Sequence, residues 1–419
     1  MTDAYFDGSV RTQYLDPVSY VPNGRCAFEL DGDKLAYLSN MRLLDLGVTS
    51  AAPSLYSRGL GAIALIKNIR LMDARTELSS LRNPAQYLFY KNANRSNAIN
   101  KSNDSYLKRN ALGYEINSID NKVKSIYPSG ATNTAADTTT AAYLDLREVF
   151  PILNHLRVLP TQIFKNLRIE IEFDAKLANQ ILTDISQAIT TLRPVLAVDH
   201  ITNDVLVKQE IEALMKAGTV WDEIETDGYV IAAVDTSAYG AGDVTVQSAA
   251  NSSLAYKGKV VERLLLCKQL QNKALELNGN NVQGFGGVAS SQAVLNQTTQ
   301  YRLNGKNIMP GFNGVSRPNE RLGIAADEWG STNGFMGSNL YKWSNKAAGL
   351  DDPNQAGQMS WDVVRVGARV ADLQINIQRT NNRDSDALAP TNAGLVVNCY
   401  AEVKKALAVM ADGYRFFEY

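Results

Sequence analysis

Two stretches of the chain alternate apolar and polar side chains with a period of two. In "NLRIEIEFD" (Asn166–Asp174), Leu167, Ile169, Ile171 and Phe173 interleave with Arg168, Glu170 and Glu172. In "DLQINIQRT" (Asp372–Thr380), Leu373, Ile375 and Ile377 interleave with Gln374, Asn376 and Gln378. That period predicts a β-strand with one face buried and the other in water. Each is followed by an apolar, strand-like stretch, "PVLAVDHI" (Pro194–Ile201) after the first and "LVVNCYAEV" (Leu395–Val403) after the second.

The same reading finds strands in "GRCAFEL" (Gly24–Leu30) and "YLSNMRLLDLGV" (Tyr37–Val48), and in the run from Ile63 through the alternating Lys67–Leu71. Later come "GYVIAAVDT" (Gly228–Thr236), Leu264–Cys267, and "TTQYRLNGKNIMP" (Thr298–Pro310) with an Asn304–Gly305 turn. Asp412–Gly413 signals a closing hairpin. Helical spacing is rare. Leu146, Val149, Phe150 and Leu153 suggest a turn or two broken at Pro151. The clearest helix has Asn203 or Asp204 as cap, an apolar face of Val205, Leu206, Ile211, Leu214 and Met215, and a stop at Lys216–Gly218. Long polar segments at Asn83–Thr140, Ser237–Ser253 and Gly279–Gln297 read as loops.

At 419 residues the chain exceeds one hydrophobic core. Each half holds several strands, a long polar excursion, an alternating strand and a final apolar strand. The expected fold is therefore all-β: two tandem eight-stranded jelly-roll β-sandwiches, with short helices in the connections. The expected divisions are an N-terminal arm at 1–23, a first jelly roll at 24–202, a linker helix at 203–218 and a second jelly roll at 219–419. The opposite charges on the helix, Lys208 and Lys216 against Glu210 and Glu212, suit a linker better than an anionic membrane.

Composition narrows the function. Hydrophobic residues make up 45% and charged residues 20%, with no apolar run of ~18 residues. The N-terminus lacks the basic start and apolar core of a secretory signal. Net charge is −1, from 42 basic and 43 acidic side chains, with no basic arm. Sequence-specific or backbone-wrapping nucleic-acid binding is not expected. Cys26, Cys267 and Cys399 lie far apart and read as buried thiols rather than a disulfide framework.

Catalytic chemistry is scarce. The two histidines, His155 and His200, lie in apolar contexts without metal-ligand spacing. "GFGGVA" (Gly284–Ala289) fits a loose dinucleotide pattern but lacks the preceding strand. Asp327, Glu328 and Trp329 read as a turn, because adjacent carboxylates on a strand point apart. No catalytic, cofactor-binding or metal site is expected, and the chain is not expected to be an enzyme.

Several segments together resemble a family. "LDLREVFPILNHLRVLPTQIFKNLRIEIEFD" (Leu144–Asp174), "YLSNMRLLDLGV" and "GAIALIKNIRLMD" (Gly61–Asp73) resemble the first jelly roll of double jelly-roll major capsid proteins of polinton-like viruses, virophages and adintoviruses. Arg302–Gly330 and Leu395–Tyr419 resemble the second. The resemblance implies a virion protein whose homotrimers form pseudo-hexagonal capsomers of an icosahedral shell, assembled in the host cytoplasm or nucleus. It implies contacts with neighbouring capsomers, with minor capsid or penton proteins and with an internal membrane. On this view the arm works beneath the shell, so removing residues 1–20 would spare trimers and impair assembly. The competing readings are a double jelly-roll glycan-processing hydrolase and a receptor-binding penton- or spike-type viral protein.

Overall fold

The computed structural model describes residues 9–22, 24–44, 49–50, 66–84, 87–88, 114–117, 122–125, 144–173, 189–191, 193–231, 244–253, 255–270, 297–308, 361–381, 395–410 and 413–418. In the first half the strands are β1 (Val10–Leu15), β2 (Ser19–Val21), β3 (Arg25–Glu29), β4 (Ala36–Leu38), β5 (Arg42–Leu44), β6 (Thr49–Ser50), β7 (Ile66–Asp73) and β8 (Thr76–Arg82). They continue as β9 (Tyr114–Asn117), β10 (Lys122–Ser125), β11 (Leu144–Asp145), β12 (Val158–Pro160), β13 (Leu167–Phe173), β14 (Ile189–Thr191) and β15 (Val195–Ile201). Helix α1 (Ile152–His155) precedes β12, and α2 (Asp204–Ala217) joins the halves.

The second half contains β16 (Thr219–Ile231), β17 (Val244–Ser253), β18 (Val260–Leu270), β19 (Gln297–Leu303), β20 (Lys306–Asn307), β21 (Trp361–Arg369), β22 (Leu373–Asn381), β23 (Leu395–Met410) and β24 (Gly413–Glu418).

One strand order is written twice. Taking β4–β5 and β11–β12 each as one broken strand, the first half has eight principal strands: β1, β3, β4–β5, β7, β8, β11–β12, β13 and β15. One sheet runs first–eighth–third–sixth, with β15 between β1 and β4–β5; the other runs second–seventh–fourth–fifth, as β3-β13-β7-β8. The second half repeats both orders, as β16-β23-β18-β21 and β17-β22-β19-β20. Among the described residues, β2 and β24 alone extend these two pairs of sheets. The two alternating strands, β13 and β22, hold the same interior place in their respective halves, and so do the two final strands, β15 and β23.

Burial follows the alternation. Leu167, Ile169, Ile171 and Phe173 on β13 are buried, as are Leu373 and Ile375 on β22. The Asn304–Gly305 turn joins β19 to β20, with Leu303 opposite Lys306 and positive φ at both turn residues (50° and 81°). Such a turn matches the right-handed twist of the strands it joins. The Asn304 side chain also accepts from the amides of Ala371 (2.8 Å) and Asp372 (3.0 Å), tying this turn to the one between β21 and β22.

All ladders are antiparallel, so odd-numbered principal strands run one way and even-numbered ones the other. Connections from an odd to an even strand leave from one end, and those from an even to an odd strand from the opposite end. The second kind are short in both halves: 30–35, 74–75, 161–166, 254–259, 304–305 and 370–372. The first kind are long, apart from 16–24, which carries β2: 45–65, 83–143, 174–194, 232–243, 271–296, 308–360 and 382–394. Each sandwich thus has a plain end and an elaborated end. The β9–β10 hairpin and the β6–β14 pair belong to the elaborated end.

Four expectations change. Residues 10–21 are not a separate arm: β1 pairs along the length of β15, and β2 pairs with β3. The first jelly roll therefore starts at Val10. Residues 244–253, read as loop, form β17, whose ladder to β22 absorbs two register shifts. The strand read from Gly228 instead begins at Thr219, because "TVWDEIETDG" is already strand against β23. The helix forms where expected, with Asn203 Oδ1 capping the Val205 amide at 3.0 Å and Gly218 ending it. Its apolar face is rotated only slightly: Leu206, Ile211 and Leu214 pack inward as expected and Val207 is buried beside them, whereas Val205 and Met215 are exposed.

Candidate functional site at the junction of the sandwiches

The described residues that sequence singled out lie apart from one another. His155 is exposed on the last turn of α1, and His200 is partly exposed on β15. Burial, together with Lys34 and Arg11, lowers the His200 pKa. Neighbouring Asp199 is structural. It accepts from Thr12 Oγ1 (2.6 Å) on β1 and Asn40 Nδ2 (2.8 Å) between β4 and β5. Cys26 and Cys399 are buried and not joined in a disulfide, and burial pushes Cys26 up to about 12. Gly284–Ala289, Asp327–Trp329 and the Cys267 side chain lie outside the described residues. No group of His, Cys, Asp and Glu that could hold a metal occurs among the described residues.

A groove of about 560 Å³ crosses the polar face of β3, β13 and β7. Two of its carboxylates are engaged by cations: Glu170 meets Arg70 (2.9 Å) and Arg168 (2.6 Å), and Glu172 meets Lys67 (2.9 Å). The Arg70 and Lys67 pairs knit β7 to β13, while Arg168 braces Glu170 along β13 itself.

The chemistry of the molecule is concentrated where the halves meet. One hydrophobic core is continuous across the junction. It includes Phe28, Ile169, Phe150 and Phe164 from the first half, and Trp221, Ile224, Leu265, Tyr400 and Leu407 from the second. A separate core of Tyr256, Leu264, Tyr301, Ile375 and Cys399 fills the second sandwich. Helix α2 lies over β12 and β23, with Val207 packed on Ala36, Val158 and Ile201.

Among the described residues, polar contacts cross the junction at successive levels. At the plain end, the Tyr414 hydroxyl of β24 donates to Asp73 Oδ2 at 2.8 Å, and its ring lies 5.1 Å from that of Phe164. Burial and the Asp73 hydrogen bond raise the Tyr414 pKa. Midway, Ser79 Oγ of β8 donates to Glu223 Oε1 of β16 at 2.7 Å. Beyond Arg82, the Tyr400 hydroxyl donates to the Asn83 carbonyl at 3.0 Å, and Asn83 Nδ2 donates to Asn398 Oδ1 at 3.3 Å. Asn398 stands opposite Gly228 on β16, so β8 and β16 advance in the same direction. The two sandwiches therefore stand parallel, plain ends together and elaborated ends together.

Glu223 is the most unusual residue of this seam. It is 1% exposed, and its carboxyl accepts from Ser79 Oγ, Trp221 Nε1 (2.8 Å) and the Ile224 amide (3.2 Å). Burial pushes its pKa up to about 7, against the pull of the Trp221 and Ser79 hydrogen bonds and of Lys405. Sequence reading missed it because "WDEIET" looks like surface; the available signal was alternation, with Trp221 and Glu223 both facing inward.

A second cluster closes a gap in the sheet. Along the same edge of β23, β18 reaches Val403 and β24 begins its pairing at Lys405. Where they meet, Lys259 contacts Glu225 (2.7 Å) and Glu418 (3.1 Å), while Lys405 contacts Glu225 (3.2 Å). Two lysines and two glutamates thereby fix the closing hairpin to the second sandwich.

This paired, parallel arrangement decides the fold. It is a double jelly roll. PBCV-1 VP54, as fitted into a reconstruction of the virophage Sputnik, matches 98% of this chain over 97% of its own, with TM-score 0.56 and 12% identity. The 3.5 Å Sputnik virophage structure matches 98% of the chain over 88% of its own, with TM-score 0.53 and 11% identity. The Faustovirus major capsid protein matches 96% over 90%, with TM-score 0.51 and 8% identity. No family model and no curated protein matches the sequence. At these identities the likeness concerns the double jelly roll itself, end to end.

Proposed function

We propose that this double jelly roll is a major capsid protein, a structural unit of a virion whose shape rather than any reactive group performs the function. The observation that carries this reading is the repeated strand order, set in parallel and fused through one continuous core. A chain with two like-oriented sandwiches is a two-lobed brick. Three copies give six similar lobes around a three-fold axis, a near-hexagonal tile for an icosahedral shell. The elaborated ends supply one surface of that tile, while the plain ends with α2 supply the other. The full-length likeness to Sputnik and Faustovirus capsid structures supports the same role.

Neighbouring capsomers, minor capsid or penton proteins and an internal membrane are the partners of this reading. The near-neutral charge suits a coat whose inner surface meets proteins or lipid rather than naked genome. Native mass and negative-stain imaging of the purified chain test the proposal. A stable trimer with a six-lobed outline is expected. A monomer that hydrolyses glycans, or a single-lobed receptor-binding particle, would overturn it.

A further inference from the structure

We propose that Glu223 is a proton-operated latch between the two sandwiches, closed when its carboxyl is neutral and loosened when it ionises. The geometry places the group where it can act so. Its carboxyl lies inside the junction and joins β16 of the second half to Ser79 on β8 of the first. The neutral acid satisfies all of its neighbours. Trp221 Nε1–H donates to Oε2, and a proton on Oε1 can be donated to the Ser79 oxygen as a hydrogen bond while Oε1 still accepts from the Ile224 amide. The ionised form keeps its donors but places a charge in a site without a contacting cation.

Among the described residues no cation contacts this carboxylate directly. On β23, Lys405 attracts it from a distance while paired with Glu225 and Glu418. On β23 as well, Glu402 is itself a buried acid whose pKa is raised by burial. Tyr87 packs on Tyr400 nearby, and its hydroxyl is held neutral by burial. From β8 the charged side chains, Glu77 and Arg82, are exposed. From α1 the single titratable group, His155, is exposed too. On β16, Asp222 pairs with Lys404, and Glu225 with the two lysines.

The direction of the effect follows from linkage. A carboxyl whose pKa is raised from 4.5 in the open state to about 7 in the closed state favours closure most below pH 4.5. Between those values opening releases one proton, so the closed state is disfavoured about tenfold per pH unit. Above about 7 no further change comes from this group. The junction is therefore tight in mild acid and looser at neutral and higher pH.

Hydrogen exchange on the full-length protein, read as protection factors between pH 5 and pH 8, tests this. Protection of the β8 and β16 amides should fall about tenfold per unit up to pH 7, then level off, while β22 and β19, remote from the junction, hold steady. Glu223→Gln keeps a neutral hydrogen-bonding group, and its β8 and β16 protection should stay flat with pH. Ser79→Ala removes a donor to the ionised form and should move the transition to higher pH. Equal pH dependence in wild type and Glu223→Gln overturns the proposal. If that variant does not fold, the wild-type contrast between junction and remote strands decides: uniform loss across all strands overturns the latch.

Discussion

The Tyr414 hydroxyl donates to Asp73 Oδ2 at 2.8 Å, linking residues 341 positions apart. Asp73 also accepts from the Asn166 amide at 2.8 Å, so one carboxylate ties the β7–β8 turn, the approach to β13 and the closing hairpin together. Tyr414→Phe keeps the ring against Phe164 and Phe416 and removes only the hydroxyl. It should destabilise the junction by about 2 kcal/mol, the scale of a hydrogen bond to a charged acceptor. Tyr414→Ala also removes the ring and should cost roughly 3–5 kcal/mol. Denaturant midpoints of the first unfolding transition check both.

The cluster at the seam between β18 and β24 predicts a contrast between two glutamates. Glu225 bridges Lys259 and Lys405 with a side chain 18% exposed, whereas Glu418 is 47% exposed. Glu225→Gln should cost about 3 kcal/mol, because it leaves two partly buried lysines facing each other. Glu418→Gln should cost under about 1 kcal/mol, and less still in high salt. Thermal unfolding at low and high ionic strength separates the two.

Truncation distinguishes an arm from a strand. Removing residues 1–8 leaves β1 in place. Removing residues 1–20 deletes β1, strips Thr12 from Asp199 and bares the edge of β15. The longer truncation should therefore lower the melting temperature and promote aggregation, not merely impair particle assembly. Size-exclusion chromatography and calorimetry of the two truncations check this.

Gly218, at the end of α2, should tolerate no side chain. Its φ is +60°, and an added Cβ would lie 2.8 Å from the Leu407 carbonyl oxygen. Gly218→Ala combines left-handed strain with a backbone clash and should cost about 3 kcal/mol or more. Gly305→Ala has the strain without the clash, since nothing lies within 4 Å of the added carbon. It should cost about 1 kcal/mol. Parallel urea titrations compare the pair.

Much of this architecture was legible where local chemistry and burial agree. β13 and β22 declare themselves by alternation, Asn304–Gly305 by turn chemistry, and α2 by Asn203 and Gly218. What escaped is supplied by neighbours. β17 has little apolar character of its own and forms because β22 offers it a ladder. β1 exposes Tyr14 and Arg11, yet it is held by β15. Glu223 is hidden because a carboxyl reads as surface until Ser79, distant in sequence, arrives to receive it. The phase of α2 is likewise set by β12 and β23, which select Val207 rather than Val205 as the buried contact.

The division between short and long connections gives the molecule room to grow in one direction only. An insertion between β19 and β20 would break a two-residue turn that also caps its neighbour. One between β20 and β21 enters a connection that already spans 308–360. New peptide added at such places enlarges the elaborated end while leaving both pairs of sheets and the junction between them untouched.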